Sequence, residues 1–431
     1  MQLPSIVYLY DIFKGHPQVQ TDTRKLQNGD LYFALKGPNF NGNLFAIAAL
    51  EAGAAFAVVD EVIPNSGKWE NKILQVQDSL SCLQELAKFH RQQLNIPFIA
   101  ITGSNGKTTT KELVYTVLSS HFKTYTTQGN LNNHIGVPLT LLSIKNDAQI
   151  AVIEMGANHL HEIEAYCRYT LPTHGLITNC GKAHLEGFGS EAGVKKAKGE
   201  LFDFMRTHNG TVFIMSDYDY LNEMSKGITE VITYGRSTGN LQGYALDYNG
   251  MLSVDFIKGF EGTINTQLVG AYNLPNVLAA VAIGKYFKVP DAKIKTSIAS
   301  YTPTNSRSQL LQWNNNTVIM DAYNANPSSM KLAVENFSKI ISDKKIMCLG
   351  GMKELGAESL QEHQLLINYI NQYDWKQVIL VGGDFKNCIH NFLYFENASE
   401  AKTWLHSQAY IEHHILIKGS RGIQMEQLIA P

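Results

Sequence analysis

The stretch Phe98-Ile99-Ala100-Ile101-Thr102-Gly103-Ser104-Asn105-Gly106-Lys107-Thr108-Thr109-Thr110 constrains this chain more than any other. A short apolar run fits a buried strand. It enters a glycine-containing turn, and Lys107-Thr108-Thr109-Thr110 opens a helical pattern through Lys111, Glu112, Leu113 and Val114. Strand, turn and helix in that order make a phosphate-binding loop. Glycines let backbone N–H groups approach phosphate oxygens, and the lysine neutralises β/γ charge. The next hydroxyl can ligate Mg²⁺, and the helix N-terminus favours an anion. The widespread form of this loop has a glycine where Ile101 stands; Gly103 and Gly106 remain. The loop ties the chain to nucleoside triphosphate chemistry.

A chain of 431 residues is too long for one ordinary core, so two or three domains are expected. The formal charge of −2 gives no basic excess for nucleic acid and no acidic tail. Cys82, Cys167, Cys180, Cys348 and Cys388 are scattered without a Cys-x-x-Cys pair. They read as reduced, mostly buried thiols of a cytoplasmic protein rather than a disulfide frame or zinc site. Met1-Gln2-Leu3-Pro4 lacks the basic and apolar regions of a signal peptide, and no apolar run approaches membrane-spanning length. A soluble protein is expected, with neither nucleic acid nor membrane insertion among its partners.

The organisation is α/β throughout. Residues 1–78 form a first unit, with strands at 31–35 and 54–59 and a helix-like stretch at 43–52. Residues 79–94 read as a connecting amphipathic helix. Residues 79–302 read as a nucleotide-binding domain with a mostly parallel sheet. Its strands are expected at 98–102, 150–155 and 175–178, and its helices at 111–119 and 274–286. Tyr301-Thr302-Pro303-Thr304-Asn305 marks a polar join. Residues 303–431 alternate again, with strands at 318–321, 345–349, 378–381 and 414–418, as in a dinucleotide-binding fold. Gly350-Gly351 and Gly382-Gly383 follow strands without completing Gly-x-Gly-x-x-Gly, and read as strand-end turns.

Ligands of an open parallel sheet collect at the carboxyl ends of its strands. Glu154 stands at such an end, as either a metal ligand or the first residue of a polar loop. His184, a few residues past the strand ending at Thr178, is expected on the same sheet edge as Lys107 and Glu154. Together these residues can place two Mg²⁺ ions, one at Thr108 and the γ-phosphate, one at Glu154 and His184. Lys198, within Lys195-Lys196-Ala197-Lys198, reads by itself as part of a solvated charge run.

The words Thr102-Gly103-Ser104-Asn105-Gly106-Lys107-Thr108-Thr109-Thr110 resemble the loop of the Mur ligases and their folylpolyglutamate synthase relatives. So do three further stretches: Gly129-Asn130-Leu131-Asn132-Asn133-His134-Ile135-Gly136-Val137-Pro138, Ala183-His184-Leu185-Glu186-Gly187-Phe188-Gly189-Ser190, and Asp321-Ala322-Tyr323-Asn324-Ala325-Asn326-Pro327-Ser328-Ser329-Met330. They recur in family order from about Asp22 to Arg421.

The resemblance to the Mur ligases implies a UDP-sugar-binding domain, a central ATPase domain and a C-terminal Rossmann-like domain. It also implies ATP-dependent amide formation in peptidoglycan synthesis, with UDP-N-acetylmuramoyl tripeptide and D-alanyl-D-alanine as substrates of a monomeric enzyme. Gly103, Ser104, Asn105, Gly106, Lys107, Thr108 and Thr109 would cradle the phosphates. Asn276 would contact adenine, Arg307 the γ-phosphate and Asp321 the ribose, with Asn326 near the nucleotide. Glu154, His184 and Thr108 would bind metal, and Lys198 would carry a carbamate that supports the second Mg²⁺. Lys107, Lys198, His184 and Arg307 would be the catalytic set. Thr23, Arg24, Lys36, Asn41, Asn130, Asn132 and Asn133 would lie at the UDP substrate. Tyr323, Asn324, Lys418 and Arg421 would lie on the dipeptide side. The family often has Asp-Gly-His where this chain has Asn41-Gly42-Asn43, a glutamate at His134 and an aspartate at Gly351. The Asp-Asn-Pro-Arg motif of the ligase that adds the preceding residue is absent, and so is the Ala-His-Asn-Pro-like motif of the folate relatives.

Overall fold

A computed structural model describes residues 3–248, 250–304 and 306–430. Met1-Gln2 of the N-terminal stretch and Asn305 of the polar join lie outside the described residues. By internal contact the chain divides into two units. The first comprises residues 1–100, 122–157 and 161–175; the second comprises residues 101–121, 158–160 and 176–431.

The first unit opens with a four-stranded parallel sheet, in the order Val19–Gln20, Leu31–Phe33, Phe56–Val59, Ile73–Gln75. Tyr32, Ala34, Ala46, Ala49, Leu50, Ala57 and Val59 make its core. The expected helix over 43–52 is split. Gly42–Phe45 is a tight 3-10 turn started by the Asn41 side chain, and only Ala46–Glu51 is α-helical. Gly42 is required there, because a Cβ would stand 2.6 Å from the Leu35 carbonyl oxygen. Asn43 is buried and bonds Asp60 twice, donating from Nδ2 at 2.8 Å and accepting the Asp60 N–H at 3.1 Å. The amide that replaces the family's histidine is therefore a structural brace. The Ser79–Gln92 helix is capped by Asp78, which accepts the Ser81 N–H at 2.6 Å. Its buried face carries Leu83, Leu86, Ala87 and His90. Farther on, Thr124–Thr126 pairs in parallel with Ile150–Glu154.

In the second unit, Thr211–Met215, Glu230–Gly235 and Leu241–Tyr248 run parallel. Met251–Lys258 and Thr263–Val269 then continue antiparallel, an extension the sequence reading did not include. The helix expected at 111–119 begins earlier, at Lys107, because Gly106 adopts a left-handed conformation and starts the first turn directly after the loop. It packs against the Leu274–Tyr286 helix.

The C-terminal sheet has six strands, in the order Gln309–Trp313, Asn316–Asp321, His414–Lys418, Lys345–Gly350, Gln377–Val381, Leu393–Phe395. The four expected strands are present and parallel. The first strand, which was not expected, is antiparallel to its neighbour. The glycine pairs are strand-end turns packed backbone to backbone. A Cβ on Gly351 would lie 2.6 Å from the Gly383 Cα, so no larger residue fits where the family often has aspartate.

Candidate active site

The phosphate loop lies in the second unit, and its shape follows from its glycines. Gly103 has φ +141° and Gly106 has φ +78°. A Cβ on Gly103 would meet Thr178 Oγ1 at 2.0 Å, and one on Gly106 would meet Asn276 Oδ1 at 2.7 Å. The neighbouring Thr178–Gly181 segment holds the loop from one side. Ser104 N–H donates to Asn179 O at 2.8 Å, and Ser104 Oγ donates to Gly181 O at 2.7 Å. Asn105 N–H donates to Asn179 Oδ1 at 3.1 Å, and Thr178 Oγ1 donates to Asn105 O at 2.6 Å. Lys107 curls over the loop, with Nζ 2.7 Å from Gly103 O and 3.2 Å from Ser104 O. Thr108 and Thr110 are buried in the first helical turn, and Thr109 follows the lysine on the same turn. Asn276 stands beneath the loop. Its Oδ1 accepts the Thr110 hydroxyl at 3.0 Å and its Nδ2 donates to Asn273 at 2.9 Å. Its side chain is thus a brace for the loop helix.

The C-terminal part of the same unit reaches the loop. Asn326 Nδ2 donates to Asn105 Oδ1 at 2.8 Å, while Asn326 also caps the Pro327–Ser338 helix. Lys182 N–H donates to Ser328 Oγ at 3.1 Å, and Lys182 Nζ pairs with Glu362 at 2.7 Å. His184 Nδ1–H donates to the Glu354 carboxylate. That bond holds the Glu354 carboxyl below its ordinary range, against the opposing effect of partial desolvation. It also sets the imidazole tautomer, so that Nε2 of the neutral ring carries the lone pair.

Arg307 sits between two residues in the left-handed region, Ser306 at φ 55° and Ser308 at φ 49°. Three hydrogen bonds impose that conformation. Tyr323 N–H donates to Ser306 O at 3.3 Å, Ser308 N–H donates to Asp321 Oδ1 at 3.2 Å, and the Ser308 and Tyr272 hydroxyls are 2.7 Å apart. Lys418 Nζ donates to Asp321 Oδ2 at 2.5 Å and to Asn324 O at 3.3 Å. Asp321, expected at the ribose, is thus engaged by both the arginine loop and Lys418. Arg307 and Arg421 both lie over the Tyr323 ring.

Lys198 corrects a sequence reading. It is not part of a solvated run; it is 1% exposed on the Glu191–Thr207 helix, with Nζ 5.0 Å from the Phe188 ring centroid. Val194, Ala197, Leu201 and Met205 share its buried face. Spacings of three and four residues place Lys198 on that apolar stripe, and this periodicity was the signal available in the sequence.

The remaining expected residues belong to the first unit. Glu154 is 1% exposed rather than the start of a polar loop. Its N–H donates to Thr127 Oγ1 at 2.9 Å, and its Oε1 accepts Asn132 Nδ2 at 2.7 Å. Asn133 Oδ1 accepts the Gly136 N–H at 2.8 Å, and Asn130 is exposed. Thr23 begins a 3-10 turn in which Arg24 pairs with Asp22 at 2.8 Å. Lys36 reaches Asp60 at 3.1 Å, and Asn41 reaches Glu61 at 3.1 Å. Glu354, Glu362, Ser308 and Tyr272 were not singled out in the sequence, because each acts through a partner remote along the chain.

Among the described residues, no three His, Cys, Asp or Glu side chains gather to hold a metal ion by themselves, and no helix is long and apolar enough to cross a membrane.

Three family models match in chain order. They are the Mur ligase family catalytic domain at residues 17–91, the Mur ligase middle domain at 101–284, and the Mur ligase glutamate ligase domain at 306–421. The UDP-N-acetylmuramoyl-tripeptide–D-alanyl-D-alanine ligase of Bacillus subtilis is 37% identical over 78% of this chain and 74% of the relative. The enzyme of the same name from Haemophilus influenzae is 32% identical over 96% of this chain and 92% of the relative. Among solved structures, MurF from Acinetobacter baumannii matches with a TM-score of 0.86 at 28% identity, over 95% of this chain and 92% of that one. MurF from Thermotoga maritima shares the fold, with a TM-score of 0.85 at 24% identity over 97% of both chains. With its loop geometry and these matches together, the chain belongs to the Mur ligase family.

Proposed function

We propose that this protein is a cytoplasmic, monomeric, ATP-dependent ligase that joins D-alanyl-D-alanine to UDP-N-acetylmuramoyl tripeptide. The products are the UDP-muramoyl pentapeptide, ADP and phosphate. The observation that carries the reading is the phosphate loop tied to the Asn326 and Lys182 contacts, in a chain 37% identical to a ligase of that name. The proposed division is residues 1–78 for the UDP-muramoyl peptide, 79–302 for ATP, and 303–431 for the dipeptide and completion of the ATP site.

In the reaction, the terminal carboxylate of the tripeptide attacks the γ-phosphorus of ATP. ADP leaves and an acyl phosphate forms. The dipeptide amine then attacks the acyl carbon, and phosphate departs with the electron pair of the broken carbon–oxygen bond. Two anions must meet in the first step, so positioning and charge neutralisation dominate. Loop N–H groups and Lys107 would hold the phosphates, and Arg307 would meet the transferring group. The buried Thr108 hydroxyl, with nucleotide oxygens, would offer the hard-oxygen ligands that Mg²⁺ prefers. In the second unit, the Nε2 of His184 and a carbamate on buried Lys198 would offer ligands to a further ion, and buried Glu154 of the first unit is likewise a proposed metal ligand. Bound Mg²⁺ supplies charge neutralisation at the phosphate oxygens. Glu354 orients His184, and Asn132 orients Glu154.

The test is phosphate release from ATP with the UDP-muramoyl tripeptide, with and without D-alanyl-D-alanine, together with the product mass. Release that needs both, with pentapeptide formed, supports the assignment. Activity only with UDP-muramoyl dipeptide and a free diamino acid would move the chain to the preceding step.

A further inference from the structure

The sequence contains seven arginines, and five have evident employment. Arg24, Arg168, Arg206 and Arg236 pair with Asp22, Glu164, Asp203 and Asp217. Arg91 donates to the carbonyls of Leu94, Thr170 and Leu171. Arg307 and Arg421 are the other two, and among the described residues neither forms an ion pair with a carboxylate. Both guanidiniums instead converge on one ring. Their central carbons lie 3.6 Å and 5.2 Å from the Tyr323 centroid.

The sheet register explains the convergence. Asp321 and Lys418 are directly paired at the ends of neighbouring parallel strands. Tyr323 and Arg421 follow within three residues of that pair and so emerge at one edge. Arg307 arrives at the same edge through its clamped loop, bonded to Tyr323 by Ser306 and to Asp321 by Ser308. Lys418 cannot serve as a third mobile cation, since it is buried against Asp321. Two like charges gathered on one ring repel each other. The negative face of the ring offsets part of that repulsion, and anions would offset the rest.

We propose that Tyr323 is a positioning residue that holds Arg307 and Arg421 as a coupled pair of anion ligands. Arg307 takes the phosphoryl group being transferred, and Arg421 takes the carboxylate of the incoming dipeptide. The inference rests on the function proposed above. It adds that the two substrate anions are read by guanidiniums gathered on a single side chain.

The test compares Tyr323→Leu, Tyr323→Phe and Arg421→Gln in two measurements. One is the affinity for the non-hydrolysable analogue AMP-PNP relative to ADP, which needs no other substrate. The other is the KM for D-alanyl-D-alanine in turnover. Tyr323→Leu lowers the AMP-PNP preference and raises the dipeptide KM, each by about tenfold. Tyr323→Phe keeps the ring and recovers most of both. Arg421→Gln, at an exposed position, raises the dipeptide KM alone. The proposal is overturned if Tyr323→Leu changes neither quantity or only one, or if Tyr323→Phe is as impaired as Tyr323→Leu. If the native protein makes no product from the substrate pair, the functional assignment is what fails, and the AMP-PNP preference still decides the role of Tyr323.

Discussion

Lys418 donates to Asp321 at 2.5 Å, and the same carboxylate accepts the Ser308 N–H beside Arg307. One aspartate therefore fixes both a buried cation and the loop that presents the arginine. Replacing Asp321 with alanine strands the Lys418 ammonium, whose side chain is only 3% exposed. Removing one partner of a buried pair costs about 3 kcal/mol. The urea midpoint of Asp321→Ala should fall accordingly, and turnover should drop by roughly a hundredfold as Arg307 loses its anchor. Asp321→Asn, which still accepts from Ser308, should fall between it and native. An unshifted midpoint would remove the structural role assigned to the carboxylate.

Lys107 is only partly buried and its Nζ lies against the Gly103 and Ser104 carbonyls of its own loop, so truncating it should spare the fold. Lys107→Ala is expected to melt within a few degrees of native while phosphate release falls by on the order of a thousandfold. Ligation at the native rate by that variant would reject the phosphate loop as the ATP site.

What the sequence disclosed and what it hid divide along physical lines. The loop from Thr102 to Thr110 was legible because glycine conformation, lysine and helix start are all local. The C-terminal strands were legible because each is a continuous apolar run. Lys198 was misread because three nearby charges outweighed its place in the helical period; the Val194, Ala197, Leu201 and Met205 stripe carried the better signal. Glu354 was invisible for a different reason. Its partner His184 lies 170 residues away, and no local pattern encodes such a pairing.

His363 gives a pH dependence. Burial pushes its pKa below the ordinary value, although the Ser359 carbonyl opposes the shift. Nδ1–H donates to Ser359 O at 2.7 Å and Nε2 accepts the Met352 N–H at 3.0 Å, so the ring folds neutral. The unfolded chain takes up a proton near the ordinary value of about 6.5. The folded protein resists until lower pH, so stability is full above that value and is lost as pH falls toward the folded pKa. A plot of Tm against pH should therefore slope downward below about 6.5. His363→Gln should start lower and show a shallower slope; identical slopes would assign the acid sensitivity to other groups.

Two glycine substitutions separate backbone strain from steric exclusion. Gly29 has φ +92°, and a Cβ there meets nothing within 4 Å, so Gly29→Ala pays only for the left-handed conformation, roughly 1 kcal/mol. Gly106 has φ +78°, and its Cβ would press on Asn276 Oδ1 at 2.7 Å, the atom that also accepts the Thr110 hydroxyl. Gly106→Ala must therefore move Asn276, the first turn of the loop helix, or both, and the loop N–H groups proposed to hold phosphate would shift with them. Nucleotide affinity measured by calorimetry should fall by at least about tenfold for Gly106→Ala, while Gly29→Ala binds as native does. Equal affinities in the two variants would mean that the loop tolerates a side chain at Gly106, and that Asn276 does not set its shape.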